Sequence, residues 1–397
     1  MKKIPLTGAI ALLAMVGVAV FGQVATAGDA RIEQLARQVV ASSANIQPGD
    51  VVVISGGEHT TALMEAAAIE VYKAGGLPTM FLETDRIIRA RFAQTPERFL
   101  DQQPRFMAKW LKNIDVWIGL PDIRDAKTVF AGIPENRLAK TSKAARVIWD
   151  MLDDSPVRAV LIGYPTKEEA ELNGLDFEAY QAMHWKAVHA DYRKISEQGD
   201  YLKNILKGSR SVHLTSPSGT DLTFKVGNRS IFVDDGMVAK REATSKTFLD
   251  RVAHLPGGSL RFAPIETSAN GKVVIPKDRC RFTALRNLSF QFENGKLKNF
   301  KATEGADCFN EIMSAYSGPC DTFASVGFGL NPEWKVIEDG GADFRPDDAA
   351  GMVTIHTGFN QLLGGQNHEP GGFSFPIVNA TVEVDGRVVI KNGKLMF

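Results

Sequence analysis

Val51-Val52-Val53-Ile54-Ser55-Gly56-Gly57, followed closely by Thr61–Lys73, is the stretch whose reading decides the fold. An unbroken β-branched run with no polar alternation reads as a strand buried on both faces. Ser55-Gly56-Gly57 reads as a turn, and Thr61–Lys73 carries helical spacing in strong helix formers. Gly75-Gly76 ends that helix, and Pro78–Leu82 begins another strand. The pattern recurs with Val116–Leu120 as strand, Leu138–Met151 as helix and Ala159–Gly163 as strand. Working back, Ile32–Ala41 has the spacing of an amphipathic helix. Strand alternating with helix predicts a Rossmann-like parallel α/β domain, its sheet covered on both faces.

Beyond Gly163 the character changes twice. Lys167–Lys207 is charged and helical, whereas from Ser211 onward the chain is strand-like and rich in Gly, Asn and Asp turns. Ser211–Thr215, Leu222–Val226, Lys272–Ile275, Leu288–Phe292 and Thr381–Val384 are the clearest strands. The predicted organisation is an α/β domain over 28–207 and a β-rich α+β domain over 208–397.

The N-terminus has a separate logic. Met1-Lys2-Lys3 is basic, Ala9–Phe21 is apolar, and Ala25-Thr26-Ala27 matches a small-x-small cleavage pattern before polar Gly28-Asp29. Residues 1–27 therefore read as a signal peptide, too short in its apolar run to span a bilayer, which takes roughly 20 residues. Export to the periplasm or the extracellular space is the expectation, with no stable membrane insertion after cleavage. Lys plus Arg equals Asp plus Glu at 46 each, and with no basic stretch this argues against nucleic acid as a partner. The cysteines are Cys280, Cys308 and Cys320, with no Cys-x-x-Cys. In an oxidising compartment Cys308 and Cys320 are expected to pair, leaving Cys280 free.

Four stretches carry a family resemblance. They are Gln47–Gly56; Gly219-Thr220-Asp221-Leu222-Thr223-Phe224; Leu255-Pro256-Gly257-Gly258-Ser259-Leu260 with Ser268-Ala269-Asn270-Gly271; and Gly327-Phe328-Gly329-Leu330-Asn331-Pro332 through Gly364-Gly365-Gln366-Asn367 to Ala380–Gly386. In order and spacing the chain resembles the aminopeptidase T and aminopeptidase S family of metallopeptidases. The resemblance implies two metal ions in the C-terminal domain, a peptide or small amide substrate, leucyl aminopeptidase activity and a homodimer. It also implies where the ligands should be. The two glutamates fall on Ser259 and Ser325, the first histidine on Thr354, the closing His-x-Asp on Gly372 and Ser374, and the tyrosine near Gln361. Hydroxyls and glycine do not supply the carboxylate and imidazole donors such a centre needs.

The seven histidines offer replacements. On a strand, His356 shares a face with Thr354, and His368-Glu369 lies in a glycine-flanked loop beside Gly372. Two histidines and a carboxylate form the ligand set of non-haem iron sites and of some zinc sites, so His356, His368 and Glu369 are the candidate ligands of a divalent zinc or iron ion. His356 and Glu369 are the candidate catalytic groups, and Ser259, Ser325, Thr354, Asn367 and Ser374 the candidate substrate contacts. The plainer reading is a hydrogen-bonded core histidine and a solvated loop tip. Asp234-Asp235-Gly236 reads as turn chemistry, Lys240-Arg241 as a solvent-facing pair, and His184 and His189, five apart on a helix, as poor ligands.

The functional expectation is an exported, divergent aminopeptidase-like hydrolase with a remodelled metal site. The alternatives are a non-haem iron ring-cleaving dioxygenase of the same fold, since dihydroxypyridine dioxygenases are related to this family, and a non-catalytic binding protein that keeps the cleft.

Overall fold

A computed structural model describes residues 29–316 and 318–397. The proposed signal peptide lies outside the described residues. Among those residues no helix is long and apolar enough to cross a membrane.

The helix Ala30–Gln38 is capped by Asp29, whose side chain accepts from the Arg31 backbone N–H. Strands β1 (Val51–Gly57), β2 (Leu77–Glu83), β3 (Val116–Gly119) and β4 (Arg158–Ile162) are parallel neighbours in the order β2-β1-β3-β4. Val52 and Ile54 are fully buried in β1, as a run of β-branched residues beneath helices requires. Ser55-Gly56-Gly57 continues the strand, so the turn comes later than the sequence suggests. The helix Thr61–Lys73 spans the predicted residues and buries Leu63, Met64, Ala67 and Val71 against the sheet. It ends where Gly75 takes φ +85°, a conformation open to glycine. The predicted helix Leu138–Met151 is two, Glu135–Ala145 and Val147–Asp154.

The β-rich half follows with β5 (Val212–Thr215), β6 (Asp221–Phe224) and β7 (Ile231–Asp234). Then β8 (Val252–Leu255) departs from the expected division at 207/208. It runs parallel to β4 and supplies the fifth strand of the N-terminal sheet. After a Pro256-Gly257-Gly258 turn, β9 (Ser259–Phe262) enters a different sheet. At Gly258 φ is +117°, and an added Cβ would lie 2.7 Å from the Asn331 Cβ, so the crossing between sheets needs glycine. The remaining strands are β10 (Asn270–Cys280), β11 (Thr283–Glu293), β12 (Lys296–Lys301), β13 (Phe323–Gly329), β14 (Val353–Thr357), β15 (Ser374–Ile377), β16 (Thr381–Val384), β17 (Arg387–Lys391) and β18 (Lys394–Leu395).

Two antiparallel sheets result, ordered β12-β11-β10-β6-β5-β16-β17-β18 and β15-β14-β13-β9-β7. Phenylalanines join them: Phe290 meets Phe375 at 4.8 Å between ring centres, Phe292 meets Phe323 at 5.0 Å, and Phe224 meets Phe323 at 5.3 Å. Strand alternation then decides the five-stranded sheet. Leu260, Phe262, Val326, Phe328, Val353 and Ile355 face this core, which turns Ser259, Arg261, Ser325, Thr354 and His356 to the opposite face.

The disulfide joins Cys280 to Cys308, not Cys308 to Cys320, with Cα atoms 6.0 Å apart; Cys320 is buried and unpaired. Cys280 ends β10, and Cys308 lies in the first turn of the helix Ala306–Ala315, which the bond ties to the hairpin. Denatured, unreduced protein should therefore titrate as one free thiol. Closing a loop of 28 residues should contribute about 2–4 kcal/mol, so Cys308→Ser should lower the midpoint of denaturant unfolding while reductant leaves the variant unchanged.

Candidate functional site

In strand order β2-β1-β3-β4-β8 the chain reverses direction between β1 and β3, and α/β sheets bind ligands beyond the carboxyl ends of their strands at such a point. A cleft of about 910 Å³ lies there. Ser55 near the end of β1, Gly119 ending β3, Gly163 after β4 and Leu255 ending β8 all line it. Trp117, Tyr164, Tyr180 and Trp334 give it aromatic walls, and it is lined by charges of both signs, Asp122, Glu168 and Glu169 beside Arg124 and Lys127, with Arg124 paired to Glu168 at 3.0 Å. Its far end reaches the β-rich half at His254, Arg261 and Asp348.

Those last residues form one constellation. Asp234, at the end of β7, accepts from His254 Nδ1 at 2.7 Å and from the His254 and Gly236 backbone N–H groups at 3.1 and 3.3 Å. Burial works against both charges, yet each partner outweighs it: the His254 pKa lies above its ordinary 6.5, and that of Asp234 below its ordinary 3.8. With Nδ1 bonded to Asp234, Nε2 is the nitrogen left to exchange protons. Arg261 donates from Nη2 to Asp348 Oδ1 at 3.4 Å. Burial pushes the Asp348 carboxyl up, against the pull of Arg261. Asp347 accepts from Thr354 Oγ1 at 2.9 Å, and its other oxygen lies 4.0 Å from His356 Nε2.

Thr354 and His356 thus share a face, as expected, but it is the face under Asp347; His356 is not among the residues lining the cleft. Burial holds the His356 pKa below 6.5, and its Nδ1 has no partner among the described residues. Ser325 and Ser374 pair in register with His356 on either side, Ser325 buried and Ser374 exposed. Ser259 is buried two residues from Arg261. Asn367 pairs with Asn360 through backbone and amide bonds. His368 is exposed, its carbonyl accepting from Arg146 Nη1 at 2.8 Å, and Glu369 is half-buried beside Gly318. Among the described residues no three His, Cys, Asp or Glu side chains are arranged to hold a metal ion, so His356, His368 and Glu369 do not form the expected trio. His184 is a neutral core histidine: it hydrogen-bonds the Gly163 carbonyl at 3.2 Å, and burial depresses its pKa to about 4.

The two-cation centre implied by the resemblance does not fit these residues. Ser259 and Ser325 present hydroxyls where carboxylates are needed and Thr354 one where an imidazole is needed, and Arg261 places a fixed positive charge among them. At Gly372, φ is +132° and an added Cβ would stand 2.0 Å from the Thr357 carbonyl oxygen, so a histidine there requires the backbone to move.

Sequence reading missed the Asp234–His254 pair. Asp234 looked like part of a turn, and the one available signal was that Asp234 and His254 each precede a glycine turn, Gly236 and Gly257-Gly258.

The family described as thermophilic metalloprotease (M29) matches residues 28–321. The chain is 21% identical over 315 residues to aminopeptidase AmpS of Bacillus subtilis, covering 72% of this chain and 74% of that protein. It is 23% identical over 209 residues to 2,5-dihydroxypyridine 5,6-dioxygenase of Pseudomonas putida, which is 49% of this chain and only 56% of the dioxygenase. Solved structures share the fold: wild-type AmpT from Thermus thermophilus has a TM-score of 0.68 at 15% identity, covering 93% of this chain and 99% of its own. The Pseudomonas putida dioxygenase structure has a TM-score of 0.57 at 16% identity, covering 92% and 97%.

Proposed function

The chain belongs to the thermophilic metalloprotease (M29) family, and from that premise we propose that it is an exported, divergent member that hydrolyses a small amide or short peptide-like substrate in the cleft. The observation that carries this reading is the Asp234–His254 pair, whose imidazole lines the cleft. An imidazole held by a carboxylate keeps one tautomer and stabilises its own protonated form, the arrangement a general base needs. His254 Nε2 takes a proton from water as the oxygen adds to the amide carbonyl. The same nitrogen returns that proton to the departing amine as the C–N bond breaks, leaving a carboxylic acid and an amine.

The test is turnover of a panel of dipeptides and N-acyl amino acids by purified mature protein, with bound metal measured on the same sample. Release of amine from at least one class is the expected result, with little or none from leucyl p-nitroanilide or leucyl peptides. Chelator-sensitive leucyl aminopeptidase turnover would show that the inherited chemistry persists and overturn this assignment. Binding without any turnover would leave the chain a binding protein.

A further inference from the structure

We infer that the substrate of this cleft carries a carboxylate, and that the Arg261 guanidinium captures it. The inference builds on the reading of the cleft as the reacting site and narrows the substrate class to amides bearing one carboxylate beside the reacting bond.

A guanidinium has five N–H donors in a planar fork. Among the described residues Arg261 uses one of them, at 3.4 Å to Asp348, a long contact for a charged pair. Its side chain is 43% accessible, and it lines the cleft. An arginine anchored on β9 with most of its donors uncommitted is poised for bidentate capture of a planar anion.

The surroundings limit the anion to one charge. Asp347 and Asp234 also act on Arg261, and the carboxylates lining the cleft outnumber its other cations, with Asp122, Glu169 and Glu168 present and Arg124 committed to Glu168 at 3.0 Å, so a second negative charge meets repulsion. The rest of the wall is aromatic, with Trp117, Tyr164 and Trp334, and accepts an apolar body. A monoanionic N-acyl amino acid with an aromatic side chain meets these conditions. Its carboxylate seats on Arg261 and its amide lies toward His254.

The experiment measures binding, not turnover, so it stands apart from the fate of the hydrolase reading. Calorimetric titration of the purified protein with N-acetyl-phenylalanine and with its uncharged carboxamide compares one body with and without the charge. The acid should bind at least about ten-fold more tightly than the carboxamide. In Arg261→Gln that preference should vanish while carboxamide affinity stays within about two-fold, and Arg261→Lys should retain part of it. Equal binding of the two probes by the unmodified protein, or no binding of either, would overturn the inference without any variant. A preference surviving intact in a folded Arg261→Gln would also overturn it.

Discussion

His254→Asn is expected to lower turnover of the responsive amide by about 10²–10⁴-fold, the usual range for loss of a general acid–base group. Asparagine retains a donor for Asp234 but cannot exchange a proton at the Nε2 position. Melting temperature should therefore change far less than rate. The pH profile gives an independent check. As a base His254 must be neutral, and Asp234 holds its pKa above the ordinary 6.5, so the rising limb of the rate should lie above that pH. Asp234→Asn removes the main group that opposes burial, leaving only Asp348 to raise the pKa, which should move the limb to lower pH as the rate falls. A limb that stays in place, or an asparagine variant at full activity, would remove His254 from the chemistry. The pair also has a signature in stability. The contribution of His254, whose pKa is raised, is complete below pH 6.5 and is lost as pH rises through the folded value. That of Asp234, whose pKa is depressed, is present above pH 3.8 and is lost as pH falls through the folded value. The pair therefore stabilises most between those limits.

The second large effect belongs to the scaffold. Glu266 is buried and receives two bonds of 2.8 Å from Arg229, one of 3.0 Å from Asn360 Nδ2 and one of 2.9 Å from the Gln366 backbone N–H. Burial alone would raise its pKa; these donors, led by Arg229, bring it to about 2. Glu266→Ala leaves the Arg229 charge unpaired and the Asn360 and Gln366 donors unsatisfied. Loss of one partner of a buried pair costs about 3–5 kcal/mol, and the variant should show that loss in denaturant unfolding at pH 7. The sign with pH follows from the depressed pKa. The stabilisation is complete above pH 4.5, the ordinary value, and is lost as pH falls toward 2, so the two proteins should converge in acid. A variant within about 1 kcal/mol of the parent at pH 7, against the roughly 3–5 expected, would mean the network contributes little.

Much of the architecture was legible in the sequence. The Val51–Ile54 run, the Thr61–Lys73 helix and the strand Thr381–Val384 all appear where periodicity puts them, and Val353–Thr357, the condition for His356 to share a face with Thr354, is a strand. That shared face follows, because side-chain alternation is a property of the strand itself. The order of glycine-bearing stretches was enough to place the chain in its family, and the losses at Ser259, Ser325, Thr354 and Gly372 were visible as residue types. These readings are local: each depends on a repeat of two or 3.6 residues, or on a short turn.

The proposed reacting groups are not local. His254 lies 20 residues from Asp234, and Arg261 lies 87 from Asp348. They meet because β8 leaves the β-rich half to complete the parallel sheet and β9 returns through Pro256-Gly257-Gly258. Cys308 finds Cys280 instead of the nearer Cys320 for the same reason, since the docking of the Ala306–Ala315 helix on the end of β10, not spacing along the chain, brings the sulfurs together. Periodicity alone marked the strongest segments, Val51–Ile54, Thr61–Lys73 and Thr381–Val384, and their apolar faces, because burial of such a segment is written in its own repeat, whereas short strands such as β7, β8 and β9 carried no such signal. Which polar residues share the cleft was decided only by the tertiary structure, because that depends on which strand pairs with which, and pairing is fixed by the packing of whole sheets.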